Sequence, residues 1–178
     1  MVFSGPSLRE RLRTGTRASH DALERAQNQF DLTQSGDLAA FLAAQRDALS
    51  VLRDSAVELV DALDKACADI EADLSELGRD KQVRTSPTPR VDDAEGRGYV
   101  WHSQQLGMRM LARRLSDTSG PAMRFLTTSR DTEAWRALCD TLEQIPGYGP
   151  KGEAALSSAN DWLALFETIH LEHARDRS

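Results

Sequence analysis

Cysteine is scarce in this chain: Cys67 and Cys139 are the only two in 178 residues, far apart and in no CxxC pair. A disulfide framework and a zinc ribbon are thereby excluded, and a reducing, cytoplasmic compartment is the expectation. The 11 Gly and 6 Pro are too few for a collagen-like or low-complexity chain. No apolar run reaches the roughly 18 residues that a membrane-spanning helix needs. The opening stretch, Met1-Val2-Phe3-Ser4-Gly5-Pro6, lacks the basic region and apolar run of a secretory signal. Net positive charge is also missing: 22 Lys and Arg stand against 28 Asp and Glu, a net charge of −6. That balance argues against a nucleic-acid partner.

What the sequence has is helix-forming composition. Gly and Pro fall between long segments rich in Ala, Leu, Glu and Arg, and β-branched residues are few. Ser7, with Glu10 three residues on, predicts the start of a helix reaching about Gln27, with Leu8, Leu12, Leu23 and Ala26 as its apolar stripe. Asp37 caps a second helix expected to run through Leu38, Phe41, Leu49 and Leu59 into Ala66. Asp69 to Leu77 reads as a separate helical turn or two, stopped by Gly78, and Arg79 to Arg90 reads as a loop. A long helix is expected from about Asp92 to Ser116. A break follows at Ser119-Gly120-Pro121, then shorter helices over Ala122–Thr127 and Asp131–Ile145. Pro146 to Pro150 is a turn, and the last helix covers Gly152–Ala174. One all-α domain over residues 1–178 is the fold expected.

The first helix carries Arg9, Arg11, Arg13 and Arg17 in an otherwise acidic protein. At 100° per residue, Arg13, Arg17, His20 and Glu24 share one side of an unbroken helix, bordering the leucine stripe. Such a face suits a small anionic ligand: the imidazole leans over an apolar cavity, and the guanidinium groups meet carboxylates at its rim. Solvated i,i+4 pairs account for the same spacing.

A second unusual segment is Tyr99-Val100-Trp101-His102-Ser103-Gln104-Gln105-Leu106-Gly107-Met108. A glycine inside a strong helix costs about 1 kcal/mol relative to Ala, so Gly107 calls for a reason. With Ser103 one turn earlier it forms a small-residue notch, suited to a flat ligand or to close packing of another helix.

Together these segments resemble the haem oxygenase family, in its short bacterial form associated with bacteriophytochromes. The residues that carry the resemblance are Leu12-Arg13-Thr14-Gly15-Thr16-Arg17-Ala18-Ser19-His20, continuing to Glu24; Asp73-Leu74-Ser75-Glu76-Leu77-Gly78; and Tyr99 to Leu115 with its basic, leucine-containing tail. They occur in the family's order over most of the chain. The resemblance implies a haem-oxygenase-like fold, with haem as both substrate and cofactor. It further implies O2, and electrons from an external reductase or ferredoxin, with a bacteriophytochrome as acceptor of the biliverdin. His20 is then the proximal iron ligand and Glu24 its hydrogen-bond partner. Arg13, Arg17 and Arg136 meet the propionates, Tyr99 is a pocket wall, and Ser103, Gln104 and Gly107 belong to the distal helix.

The chain departs from the family's distal E-G-S-x-L-G-G. It has His102-Ser103-Gln104-Gln105-Leu106-Gly107-Met108, with two of three glycines replaced and Gln104 at the position that organises distal water. Met108, about 100° from Gly107, is expected beside the pocket. A haem-binding or haem-sensing protein without catalysis is the alternative, and an orphan member binding another small molecule a third. His102 offers a second axial ligand if the helix turns. Glu167-Thr168-Ile169-His170 matches ExxH, but a di-iron bundle needs a second copy; His170 and His173 are expected to face solvent. Cys139 has no local base to make it a nucleophile. The three tryptophans are expected in the core.

Overall fold

Ser7 opens the first helix as its sequence predicts, its Oγ accepting from the Glu10 backbone N–H at 3.2 Å. The computed structural model describes residues 4–79, 82–115, 123–128 and 131–177, and the regular elements among them are helical. Helix α1 spans Leu8–Gly15 and α2 spans Arg17–Gln27. The single helix expected here is therefore broken at Thr16. The buried Thr16 hydroxyl donates to the Leu12 carbonyl at 2.6 Å, a back-bond that bends helices. The i→i−4 ladder continues through the bend, with Thr16 N to Leu12 O at 3.0 Å and His20 N to Thr16 O at 2.9 Å. Arg13 thus sits on α1, while Arg17, His20 and Glu24 sit on α2.

Helix α3 spans Ser35–Ser55, a 3₁₀ turn covers Val57–Leu59, and α4 spans Val60–Glu76. The expected helix from Asp37 to Ala66 is corrected here too. The chain turns at Ala56 (φ −107°, ψ 74°), and Asp69 to Glu76 belongs to α4. No Gly or Pro marks that turn. Packing of α4 back against α3 decides it. Gly78 ends α4 at φ +65°, with Arg79 N bonded to Leu74 O and Gly78 N to Ser75 O, the double bond pattern of a left-handed helix stop.

Helix α5 runs Ala94–Leu115, α6 Arg124–Thr127, α7 Thr132–Glu143 and α8 Pro150–Arg175. Asp131 caps α7, accepting from the Ala134 N–H at 2.9 Å. Residues 82–90 form no helix; Asp80, Lys81, Ser116, the Ser119-Gly120-Pro121 break and Ala122 lie outside the described residues.

At the centre lie α3 and α8. Ala39, Ala40, Ala43, Ala44 and Ala48 bring neighbours close to α3, which is buried nearly all round. Against α8 pack α2, α3 and α5, and its Ala155, Ala159, Trp162, Leu163, Phe166 and Ile169 are buried as expected. Among the described residues no helix is long and apolar enough to cross a membrane.

The expectation for His170 and His173 is overturned: both are buried between α8 and α3. His173 Nε2 meets Asp47 Oδ2 at 2.7 Å, and Asp47 Oδ1 accepts from Arg46 Nη2 at 3.3 Å. His170 Nδ1 bonds the Phe166 carbonyl at 2.7 Å, which leaves Nε2 to accept from Gln45 Nε2 at 3.0 Å. These buried polar groups are partnered rather than open to a metal, and no cluster of metal-ligating side chains exists among the described residues.

Candidate functional site

Helices α2 and α5 both lean on α8 and have little direct packing between them. Between them is a cavity of about 160 Å³. From α2 it is lined by His20, Leu23, Glu24 and Gln27, with Asn28 just beyond, and from α5 by Ser103, Gln104, Gly107, Met110, Leu111 and Arg114. Two faces of one site, predicted separately from segments far apart in the sequence, are brought together here. His20, Glu24, Ser103, Gln104 and Gly107 share one wall-to-wall space.

His20 is half-buried, and burial pushes its imidazole below the ordinary range, with Asp21 opposing. The ring is therefore neutral at neutral pH and keeps a lone pair for a metal. Tyr99 stands edge-on to it, ring centroids 6.1 Å apart. Tyr99 itself is buried and backs the histidine rather than lining the cavity.

Gly107 supplies the sharpest geometric fact. A Cβ added there meets nothing within 4 Å, whereas one at Gly96 would come 2.7 Å from the Ala155 carbonyl oxygen. Gly96 is a packing glycine, seated where α5 crosses α8. Gly107 has no such use, so the helix-packing explanation of the Ser103–Gly107 notch fails at this residue. Met108, one residue on, is buried in the core and leaves the cavity clear, as its angular position predicts.

Several expected roles are not met in this geometry. Glu24 lines the cavity but makes no hydrogen bond to His20 among the described residues; it is exposed, where water solvates a carboxylate as well as a neutral ring does. Arg13 and Arg17 are exposed and lie off the cavity lining, Arg13 because the bend at Thr16 puts it on another helix. Arg136 is exposed on α7, likewise off the lining. Arg114 takes a place that the sequence reading missed. It lines the rim, two turns after Gly107 on the same face, and makes no hydrogen bond or ion pair among the described residues. Its signal was the basic tail of α5 read at a seven-residue spacing from the glycine.

His102 faces elsewhere. At 100° per residue it falls on the side of α5 opposite Gly107, where its ring tilts against Trp135 at 6.0 Å. It cannot reach the space that His20 faces without turning the whole helix. Trp101 and Trp162 are buried as expected, while Trp135 is only half-buried. Burial pushes the Cys139 thiol up, with Arg9 opposing, so it is no thiolate nucleophile at neutral pH.

A tetrapyrrole is a demanding occupant for this space. The donor set fits: a neutral imidazole on one helix, small side chains facing it on the other, and the Arg114 guanidinium at the rim for a carboxylate. The volume is below the roughly 300–1,000 Å³ of most ligand sites, so α2 and α5 have to separate to admit a ring of that size. Comparison of the chain with family models, with curated proteins and with solved structures gave no match.

Proposed function

We propose that the cavity between α2 and α5 binds haem and that the protein is a haem oxygenase, opening the ring to biliverdin, CO and ferrous iron with O2 and an external electron donor such as a reductase or ferredoxin. The observation that carries this reading is the pairing of a neutral, half-buried His20 with a glycine across the cavity that no helix packing requires. When bound, haem supplies the redox iron and the carbon that is oxidised. His20 holds the iron from α2, and Tyr99, edge-on behind it, restrains the ring's tilt. Ser103 and Gly107 leave the α5 backbone room to lie close over the opposite face and to exclude water from it. Arg114 takes a propionate at the rim with a charge-assisted bond; Arg13 and Arg17 supply positive field from outside the lining. A bacteriophytochrome remains the acceptor that the sequence resemblance suggests.

One observation favours a second reading, haem binding without turnover. Gln104 is buried, and its amide oxygen is engaged by Gln27, so the side chain at the water-organising position is already occupied. Titration with hemin, read by the Soret band, tests the binding step on wild type and His20→Ala. A saturable band in wild type that is lost or strongly shifted in the folded variant is expected; no band in wild type overturns both readings and leaves another small molecule. Adding reductant and O2 then separates them: loss of the Soret band with a bilin spectrum supports the oxygenase, and an unreactive complex supports the binder.

A further inference from the structure

A second cavity is larger than the one beside His20. It lies on the opposite face of α5, has a volume of about 440 Å³, and is bounded by the 3₁₀ turn and first turns of α4, by α5, and by α6 and α7. That volume is within the range of small-molecule sites. We propose that it is a second ligand site, built for a small planar aromatic cation. The proposal stands apart from the haem reading, because no described residue is shared between the two cavities.

Three features carry it. The walls are aromatic and apolar: Trp101, Trp135, Phe125 and Leu106 line the space, and tryptophan faces are the best side-chain partners for a cation. Leu106 is 41% exposed and Val57, at the rim, 79%; an occupant that covers them gains from removing that surface from water. The charge is one-sided as well. Among the described residues, Glu58, Asp61, Asp69 and Asp131 line the cavity against one cation, Lys65. Most of these are already engaged: Glu58 with Arg97, Asp69 with Lys65 and Thr128, and Asp131 as the α7 cap. Asp61 makes no hydrogen bond or ion pair among the described residues, so its charge is left for an occupant. His102 adds a directional group. It is half-buried on this wall, is held neutral by burial, and makes no hydrogen bond among the described residues. A heteroaromatic N–H can donate to its free ring nitrogen while the ligand's positive charge faces Asp61.

Isothermal titration of the full chain, without haem, tests this with proflavine, a planar cation, and anthracene carboxylate, a planar anion of similar shape. The expected result is saturable one-to-one binding that favours the cation by about tenfold. Asp61→Asn should weaken proflavine by about three- to tenfold and leave the anion unchanged. Leu106→Trp, at an already exposed position, should fill the cavity and abolish binding in a protein with unchanged helical circular dichroism; Ala62→Trp fills it from α4 if that variant does not fold. Gly107→Leu, which fills the other cavity, should leave proflavine affinity as in wild type even though it blocks hemin. No saturable binding, equal affinity for the anion, or loss on Gly107→Leu but not on the cavity-filling variants overturns the proposal.

Discussion

Gln27 Nε2 stands 3.5 Å from Gln104 Oε1, so a long amide–amide hydrogen bond spans the cavity from α2 to α5. At that length a bond is weak, and it joins two helices that pack on α8 more than on each other. This bond therefore adds little to holding the walls of the 160 Å³ space together. Gln27→Ala should cost less than about 1 kcal/mol of stability and should speed hemin uptake in stopped-flow absorbance. Slower uptake by the folded variant would show that the pair organises the site instead of closing it.

Space around Gly107 gives a graded prediction. Since nothing lies within 4 Å of an added Cβ, Gly107→Ala should stabilise α5 by up to about 1 kcal/mol, visible as a higher urea midpoint. Gly107→Leu should keep the fold and block hemin binding by projecting into the cavity. Gly96→Ala should behave oppositely to Gly107→Ala and destabilise, because its Cβ would strike the Ala155 carbonyl and Ser158.

His102 is separated from the His20 cavity by the body of α5. His102→Ala should leave the ferric haem spectrum at its wild-type position, and the wild-type complex should not be bis-histidine. A low-spin spectrum that is lost in this variant would mean that α5 rotates on binding.

His170 sets an acid limit on stability. Burial lowers its pKa from the ordinary 6.5 to about 4, with His173 adding to the effect and the Phe166 carbonyl opposing it. The unfolded chain therefore takes up this proton first. Stability from the neutral ring is complete above about pH 6.5 and is lost as pH falls toward 4, by a total on the order of 3 kcal/mol. His170→Gln should flatten this limb in urea titrations between those pH values. An unchanged slope would assign the acid sensitivity to other groups.

The neighbouring network is more costly to break. Asp47 is fully buried and serves both Arg46 and His173. Asp47→Ala leaves a buried guanidinium without that carboxylate and should destabilise by about 3–5 kcal/mol, measured as the shift in denaturant midpoint at constant m.

The all-helical class, the cap at Ser7, the stop at Gly78 and the inward face of α8 were legible from local chemistry, because caps, left-handed stops and a 3.6-residue period are written in neighbouring residues. His20 and Gly107 could be singled out for the same reason: a boundary histidine and a costly mid-helix glycine are visible without a partner. What joins them was not. The bend at Thr16 rests on a hydroxyl finding its own backbone beside Gly15, in a stretch whose apolar period runs on unbroken, and the turn at Ala56 rests on α4 packing back over α3 where no Gly or Pro stands. Burial of His170 and His173 was equally invisible. The residues that satisfy them, Gln45 and Asp47, come from a helix more than a hundred positions away, and a polar side chain reads as exposed until its partner is known. Tertiary packing likewise decided that α5 presents two unlike faces to two separate cavities, since the period of a single helix records which residues share a side but not what stands opposite them.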